Sequence, residues 1–204
     1  EALAPHSLEA TIAFLDAAKG LPNRVQVATR WDVSGPRFRA LARVLRANGT
    51  VLFHSFTSLR DTEALEPGTP ALADRISFIR RCAAAGVRSV LYLKPYIPDV
   101  TDRDGPLFVD LAERYRITHA VIGGLYATPR IAQTITKGIG SQWKRGAYLL
   151  PGFPVGDHAA RRARLKEAVP SSVVRFRAYL QRCGLHVSLH SLEALNSVER
   201  RGDP

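Results

Sequence analysis

Leu65-Glu66-Pro67-Gly68-Thr69-Pro70, then Arg75, then Ala85-Gly86-Val87, then Lys94-Pro95-Tyr96-Ile97-Pro98, is the part of the sequence that decides the fold. The first piece has the Pro and Gly density of a loop leaving a strand. Ala71 to Ala85, which carries Arg75, is amphipathic at helical spacing, and Gly86 stops it. Arg88 to Tyr96 reads as a buried strand, and Pro95 and Pro98 lock its exit. Strand exit, helix, glycine and strand make one βα unit, which implies parallel strands and a right-handed crossover.

The same rhythm extends in both directions. Towards the N-terminus, Ser7 to Lys19 predicts a helix that Gly20 and Pro22 end, and Arg24 to Thr29 predicts a strand. Pro36 to Ala47 is a basic amphipathic helix with Phe38, Leu41, Val44 and Leu45 on one face, and Asn48-Gly49 ends it. Thr50 to Phe56 is an apolar strand, followed by a long polar loop from Thr57 to Pro70; loops of that length are often functional. Towards the C-terminus, Pro106 to Tyr115 predicts a helix and His119 to Leu125 a fourth strand. Loops after strands are longer than loops before them, which puts the working face at the strands' carboxyl ends.

The expected fold is therefore α/β, with a partial parallel (β/α) barrel over residues 1–127. Residues 128–204 are expected to form a C-terminal α/β extension packing on that barrel. Within it, periodicity is weak from Lys137 to Gly156. Ala159 to Ala168 and Pro170 to Arg182 predict helices, and Leu185 to Leu189 predicts a strand.

Composition narrows the class. The chain has 204 residues, 46% of them hydrophobic, enough for a sizeable core. No apolar run reaches the ~18 residues of a membrane helix and the N-terminus has no signal-peptide pattern, so a cytoplasmic protein is expected. The net charge of +11 favours polyanionic partners such as nucleic acid. It also fits solvated helix faces, because only Arg161 to Lys166 and Arg200-Arg201 are dense. The two cysteines, Cys82 and Cys183, are far apart and fit free thiols in a reducing compartment. The chain contains no Met, which reads as a trimmed or incomplete protein that leaves an open sheet edge available for association.

Thr29-Arg30, Ser55 within Phe53-His54-Ser55-Phe56-Thr57, Glu66-Pro67, Arg75 and Pro95-Tyr96-Ile97-Pro98 occur in a fixed order over residues 1–126. That order resembles the radical S-adenosylmethionine (SAM) superfamily, in its spore-photoproduct-lyase-like branch. Arg30 stands where the family has Lys, which keeps the charge and changes its geometry.

The resemblance implies that Arg30 and Ser55 lie around bound SAM, and that Glu1 is the acid that takes its ammonium. A guanidinium grips a carboxylate bidentately, and a hydroxyl serves the ribose or amino-acid group. Lys94 shares a strand face with Tyr92 and Val90 and is a further candidate for holding an anion; it reads equally as a snorkelling strand-end lysine. Glu66 and Arg75 are expected to pair and fix the loop.

The family also carries a [4Fe-4S] cluster on Cys-x3-Cys-x2-Cys, which reduces SAM to a 5′-deoxyadenosyl radical. The sequence supplies no such motif. The implied activity is that of the C-terminal part of a radical SAM enzyme with an unassigned substrate. The alternatives are a cluster-free basic module that binds nucleic acid or a partner protein, and an α/β-barrel enzyme for a phosphorylated substrate.

Other residue clusters read as structural. His54, His119, His186 and His190 are expected in core or edge positions, with no metal site. Asp99, Asp102 and Asp104 read as loop and helix-cap residues, and Gly138, Gly140 and Gly146 form no dinucleotide fingerprint.

Overall fold

The structure is a computed structural model describing residues 1–124, 126–127, 129–140, 148–149 and 171–199. The expected helix Ala159 to Ala168, the dense basic run Arg161 to Lys166, Arg200-Arg201, Leu125 and Gly146 lie outside the described residues.

The elements in chain order are α1 (Leu8–Ala17), β1 (Gln26–Thr29), α2 (Gly35–Ala47), β2 (Val51–Phe56), α3 (Thr62–Leu65), α4 (Leu72–Ala84), β3 (Ser89–Tyr96), α5 (Gly105–Arg114), β4 (His119–Gly124), β5 (Tyr126–Ala127), α6 (Pro129–Ile139), β6 (Tyr148–Leu149), α7 (Ser171–Arg182), β7 (His186–Ser188) and α8 (Ser191–Glu199). Five strands form one sheet in the order β1-β2-β3-β4-β7, every pair parallel. Sequential order with helical crossovers is what the βα rhythm predicts. β5 and β6 form a separate parallel pair. No described helix is long and apolar enough to cross a membrane.

Strand alternation sorts the side chains onto two faces. Leu52, Phe56, Leu91, Leu93, Ala120, Ile122 and Val187 point outward. There they meet apolar residues of the helices, among them Leu41 and Leu45 of α2, Phe78 and Ile79 of α4, Phe108 of α5 and Phe176 of α7. Val51, Phe53, Val90 and Val121 point inward and are covered by Ala194 and Leu195 of α8. Burial on both faces explains why β2 is apolar with little alternation.

Three expectations need correction. The segment from Thr57 to Pro70 is not irregular throughout, because it holds the one-turn helix α3. The helices α6 and α8 were not legible. α6 begins at Pro129 and contains Gly138, a residue that weakens helix propensity. Gly138 is required by packing: a Cβ there would stand 2.8 Å from the Ala64 carbonyl oxygen of α3. Leu65, Ile97, Val100, Ile135 and Ile139 close a small apolar cluster there.

The third correction concerns Asp104. It occupies the position before α5 but does not cap that helix through its side chain. Its fully buried carboxylate instead accepts hydrogen bonds from Ser58 Oγ (2.6 Å), Leu59 N (2.7 Å) and Arg60 N (3.1 Å), with Arg60 Nε 3.2 Å from its other oxygen. Thr101 braces the same loop: its Oγ1 donates to Thr57 O (2.7 Å) and accepts from Ile97 N (2.9 Å).

The histidines are packed as structural residues. His54 is buried beside Phe78, with Nε2 3.1 Å from Ser89 Oγ. His119 and His186 lie ring to ring, 5.1 Å between centroids.

Two measurements test this architecture. Asp104→Ala leaves three donors of the 58–60 loop without their acceptor, and urea unfolding is expected to show a loss of about 3 kcal/mol. An unchanged midpoint would sink the anchoring role. The second test concerns His54, whose pKa burial pushes down from 6.5 to about 3. The folded state keeps the ring neutral while the unfolded chain takes up a proton below 6.5. His54 therefore makes stability fall as pH drops from 6.5 towards 3, by at most about 1.4 kcal/mol per pH unit. Stability measured against pH should show a shallower acid slope for His54→Gln than for the natural chain; identical slopes would refute this.

Candidate functional site

Three parallel strands deliver Arg30, Ser55 and Lys94 to the carboxyl edge of the sheet, Lys94 two positions beyond the level of the other two. Pairing sets the alignment, with Thr29 opposite His54 and Ser55 opposite Tyr92. Arg30 follows β1 directly. Ser55 and Lys94 share the inner face with Phe53 and Tyr92 by alternation.

The contacts converge on one carbonyl. Arg30 Nη2 donates to Lys94 O at 3.0 Å, and Ser55 Oγ donates to the same oxygen at 3.2 Å. Glu1 joins them: its carboxylate accepts from Arg30 N at 3.3 Å and from Arg30 Nη1 at 3.2 Å. Arg30 keeps about a quarter of its side chain exposed, so this corner is open to solvent.

Glu66 connects the corner to the core. Its Oε2 lies 2.6 Å from Arg75 Nη1, both side chains being buried. Its Oε1 accepts from Thr57 N at 2.8 Å and stands 3.3 Å from Arg30 Nε. Arg75 also donates to Ser55 O and lies over the Phe56 ring, 4.4 Å from its centroid. Burial lowers the Arg75 pKa and the Glu66 carboxylate beside it opposes that shift.

All six residues singled out from the sequence thus meet in one network. The Lys94 contribution differs in kind. Its carbonyl belongs to the Arg30 and Ser55 cluster, whereas its ammonium turns back along the inner face, 3.3 Å from Tyr92 Oη. Sequence reading passed over Tyr92 and Ser191 as site residues. Alternation from Lys94 marks Tyr92; Ser191 carries no signal because α8 itself was not recognised.

The arrangement offers charges and hydrogen-bonding groups complementary to an amphoteric amino-acid group. Glu1 offers an acceptor for an ammonium. Arg30 uses one N–H on each Nη, and its Nε stands 3.3 Å from Glu66 Oε1, which leaves one N–H on each Nη for a carboxylate. The residues therefore fit the methionine end of SAM. They do not fit an iron–sulfur cluster. Cys82 is buried on α4 among apolar side chains, where burial pushes its thiol up to about 12. Cys183 lies beyond α7 and is not bonded to it. Among the described residues no three His, Cys, Asp or Glu side chains group as metal ligands.

No protein-family model and no curated protein matches the sequence. Solved structures do. Spore photoproduct lyase complexed with dinucleoside spore photoproduct superposes with a TM-score of 0.54 at 18% identity, over 89% of this chain and 55% of that one. A mutant of the same lyase with bound SAM and dinucleoside spore photoproduct gives 0.52 at 18% identity, over 91% and 56%. Streptococcus suis SuiB bound to SAM gives 0.53 at 11% identity, over 89% and 36%. The chain thus spans little more than half of the lyase and about a third of SuiB. Both are radical SAM enzymes, and at this identity the likeness is one of fold: the chain has a radical SAM-type α/β fold with a partial parallel barrel.

Proposed function

We propose that this chain is the SAM-binding C-terminal part of a radical SAM enzyme. The observation that carries this reading is the convergence of Arg30 and Ser55 on the Lys94 carbonyl, with the Glu1 carboxylate accepting from Arg30 beside it. In this reading Glu1 accepts from the SAM ammonium and the two remaining Arg30 N–H groups take its carboxylate. Ser55 Oγ, already oriented by its bond to Lys94 O, accepts from a ribose or amino-acid group. Bound SAM would supply hydrogen-abstraction chemistry once cleaved by one-electron reduction from an iron–sulfur cluster, and the protein contributes position and exclusion of water. The cysteines of this chain hold no cluster, so no reductive step is assigned to it. Glu66 and Arg75 act behind Arg30, setting its plane rather than touching ligand.

A second reading has its own observation. Arg39, Arg43 and Arg46 lie exposed on α2 and form no ion pair among the described residues. They flank an open groove floored by Phe38, Ala42 and Ala85. This favours a basic module that binds nucleic acid through its phosphates.

Isothermal titration with SAM separates the two. The first reading expects saturable binding, weakened about tenfold or more by Arg30→Ala and severalfold by Ser55→Ala. Absence of SAM binding, together with salt-dependent binding of a single-stranded oligonucleotide that Arg39→Ala/Arg43→Ala weakens, would replace it with the second.

A further inference from the structure

Among the described residues the Lys94 ammonium has no counterion, and it lies 5.5 Å from the centroid of the Tyr92 ring. Arg30 has Glu1 and Glu66, and Arg75 has Glu66. Lys94, half-buried on the inner face, forms no ion pair among the described residues. Leaving an ammonium there without an anion is unfavourable unless something solvates it.

Its position is built. The lysine stem lies across Gly123 of the neighbouring strand, where a Cβ would stand 2.7 Å from Lys94 Cδ and 2.8 Å from Cγ. Any larger residue at 123 displaces the stem. The ammonium turns back to Tyr92, two positions earlier on β3 and opposite Ser55 in the strand register. Tyr92 is held in turn, its ring edge-to-face with Phe53 at 5.5 Å. Its oxygen accepts from Lys94 Nζ and from Ser191 Oγ, each at 3.3 Å.

The contact between the two hydroxyls uses one of their two hydrogens, so the Tyr92–Ser191 pair keeps one O–H for a further acceptor. Two N–H groups of Lys94 are likewise unused. A charged donor and a hydroxyl donor therefore lie next to each other, and what matches them is an acceptor carrying negative charge.

We propose that Lys94, Tyr92 and Ser191 form an oxyanion-binding subsite on the inner face of the sheet, beside the Arg30 and Ser55 cluster, taking a phosphate or carboxylate of the substrate. Lys94 and Tyr92 donate to the anion, and Ser191 fixes the phenol from the end of α8. Assigning the anion to a substrate rests on the reading of the strand ends as the SAM site; the subsite itself does not.

Amide NMR of the full chain, titrated with inorganic phosphate and separately with acetate at constant ionic strength, tests the proposal. Saturable shifts are expected at residues 92–94, 123 and 191. Lys94→Gln is expected to weaken the response about tenfold, with smaller losses for Tyr92→Phe and Gly123→Ala. Tyr92→Phe removes a single oxygen and guards against a folding artefact, as does a thermal melt of each variant. A response to phosphate alone or acetate alone supports the subsite and tells which group it prefers. Shifts confined to the α2 arginines, or equal affinity in Lys94→Gln, would overturn it. So would Lys94→Gln weakening SAM and not the anions, since that makes Lys94 a cofactor ligand. If Arg30→Ala leaves SAM binding intact while the Lys94 result holds, the SAM reading fails and the subsite stands.

Discussion

One carboxylate, that of Glu66, connects the core of this protein to its open corner. A buried guanidinium such as Arg75 is tolerable only when its charge is met and its N–H groups are used. Glu66 meets the charge at 2.6 Å, Ser55 O takes another N–H, and the Phe56 ring covers one face. The other Glu66 oxygen faces Thr57 N and Arg30 Nε. The strand end, the following loop and the exposed arginine are therefore positioned by one group. Removing it would leave a buried cation and an unpaired amide together, and their costs would not be independent.

The loop that carries Glu66 is held from the far side by α5 and its approach. Asp104 collects the amides after Ser58, and Thr101 ties Thr57 to Ile97. Loops at the carboxyl ends of parallel strands carry function because they are free of the sheet's hydrogen bonding. Here that freedom is removed by buried polar contacts, so the strand-end side chains keep a fixed relation to one another. This is the arrangement a small polar ligand needs, since precise donors bind better when they need not be ordered first.

The two faces of the sheet divide the work. The outer face is apolar and packs against four helices, which supplies stability. The inner face is apolar only in its lower part, where α8 covers Val51, Phe53, Val90 and Val121. Above that floor it becomes polar, with Tyr92, Ser55 and Arg30 level across three strands and Lys94 two positions beyond them. α8 thus sets the depth of the polar region, and its first residue, Ser191, touches Tyr92.

The sequence by itself determined the parallel α/β class, because helical and strand periodicities alternate from Ser7 to Gly124 and glycines mark the breaks. Resemblance to a known family picked out Arg30, Ser55, Glu66 and Arg75, and strand alternation picked out Lys94. Helices α6 and α8 were not legible: their stability comes from apolar contacts with α3 and the inner face, which local propensity does not encode. Nor was the destination of Asp104, which sits at a helix start yet bonds a loop more than forty positions earlier. Only the tertiary structure decided that the Lys94 carbonyl and ammonium serve different places. Periodicity assigns a side chain to a face; where its charged end comes to rest depends on the neighbouring strand, and here Gly123 leaves the room for it.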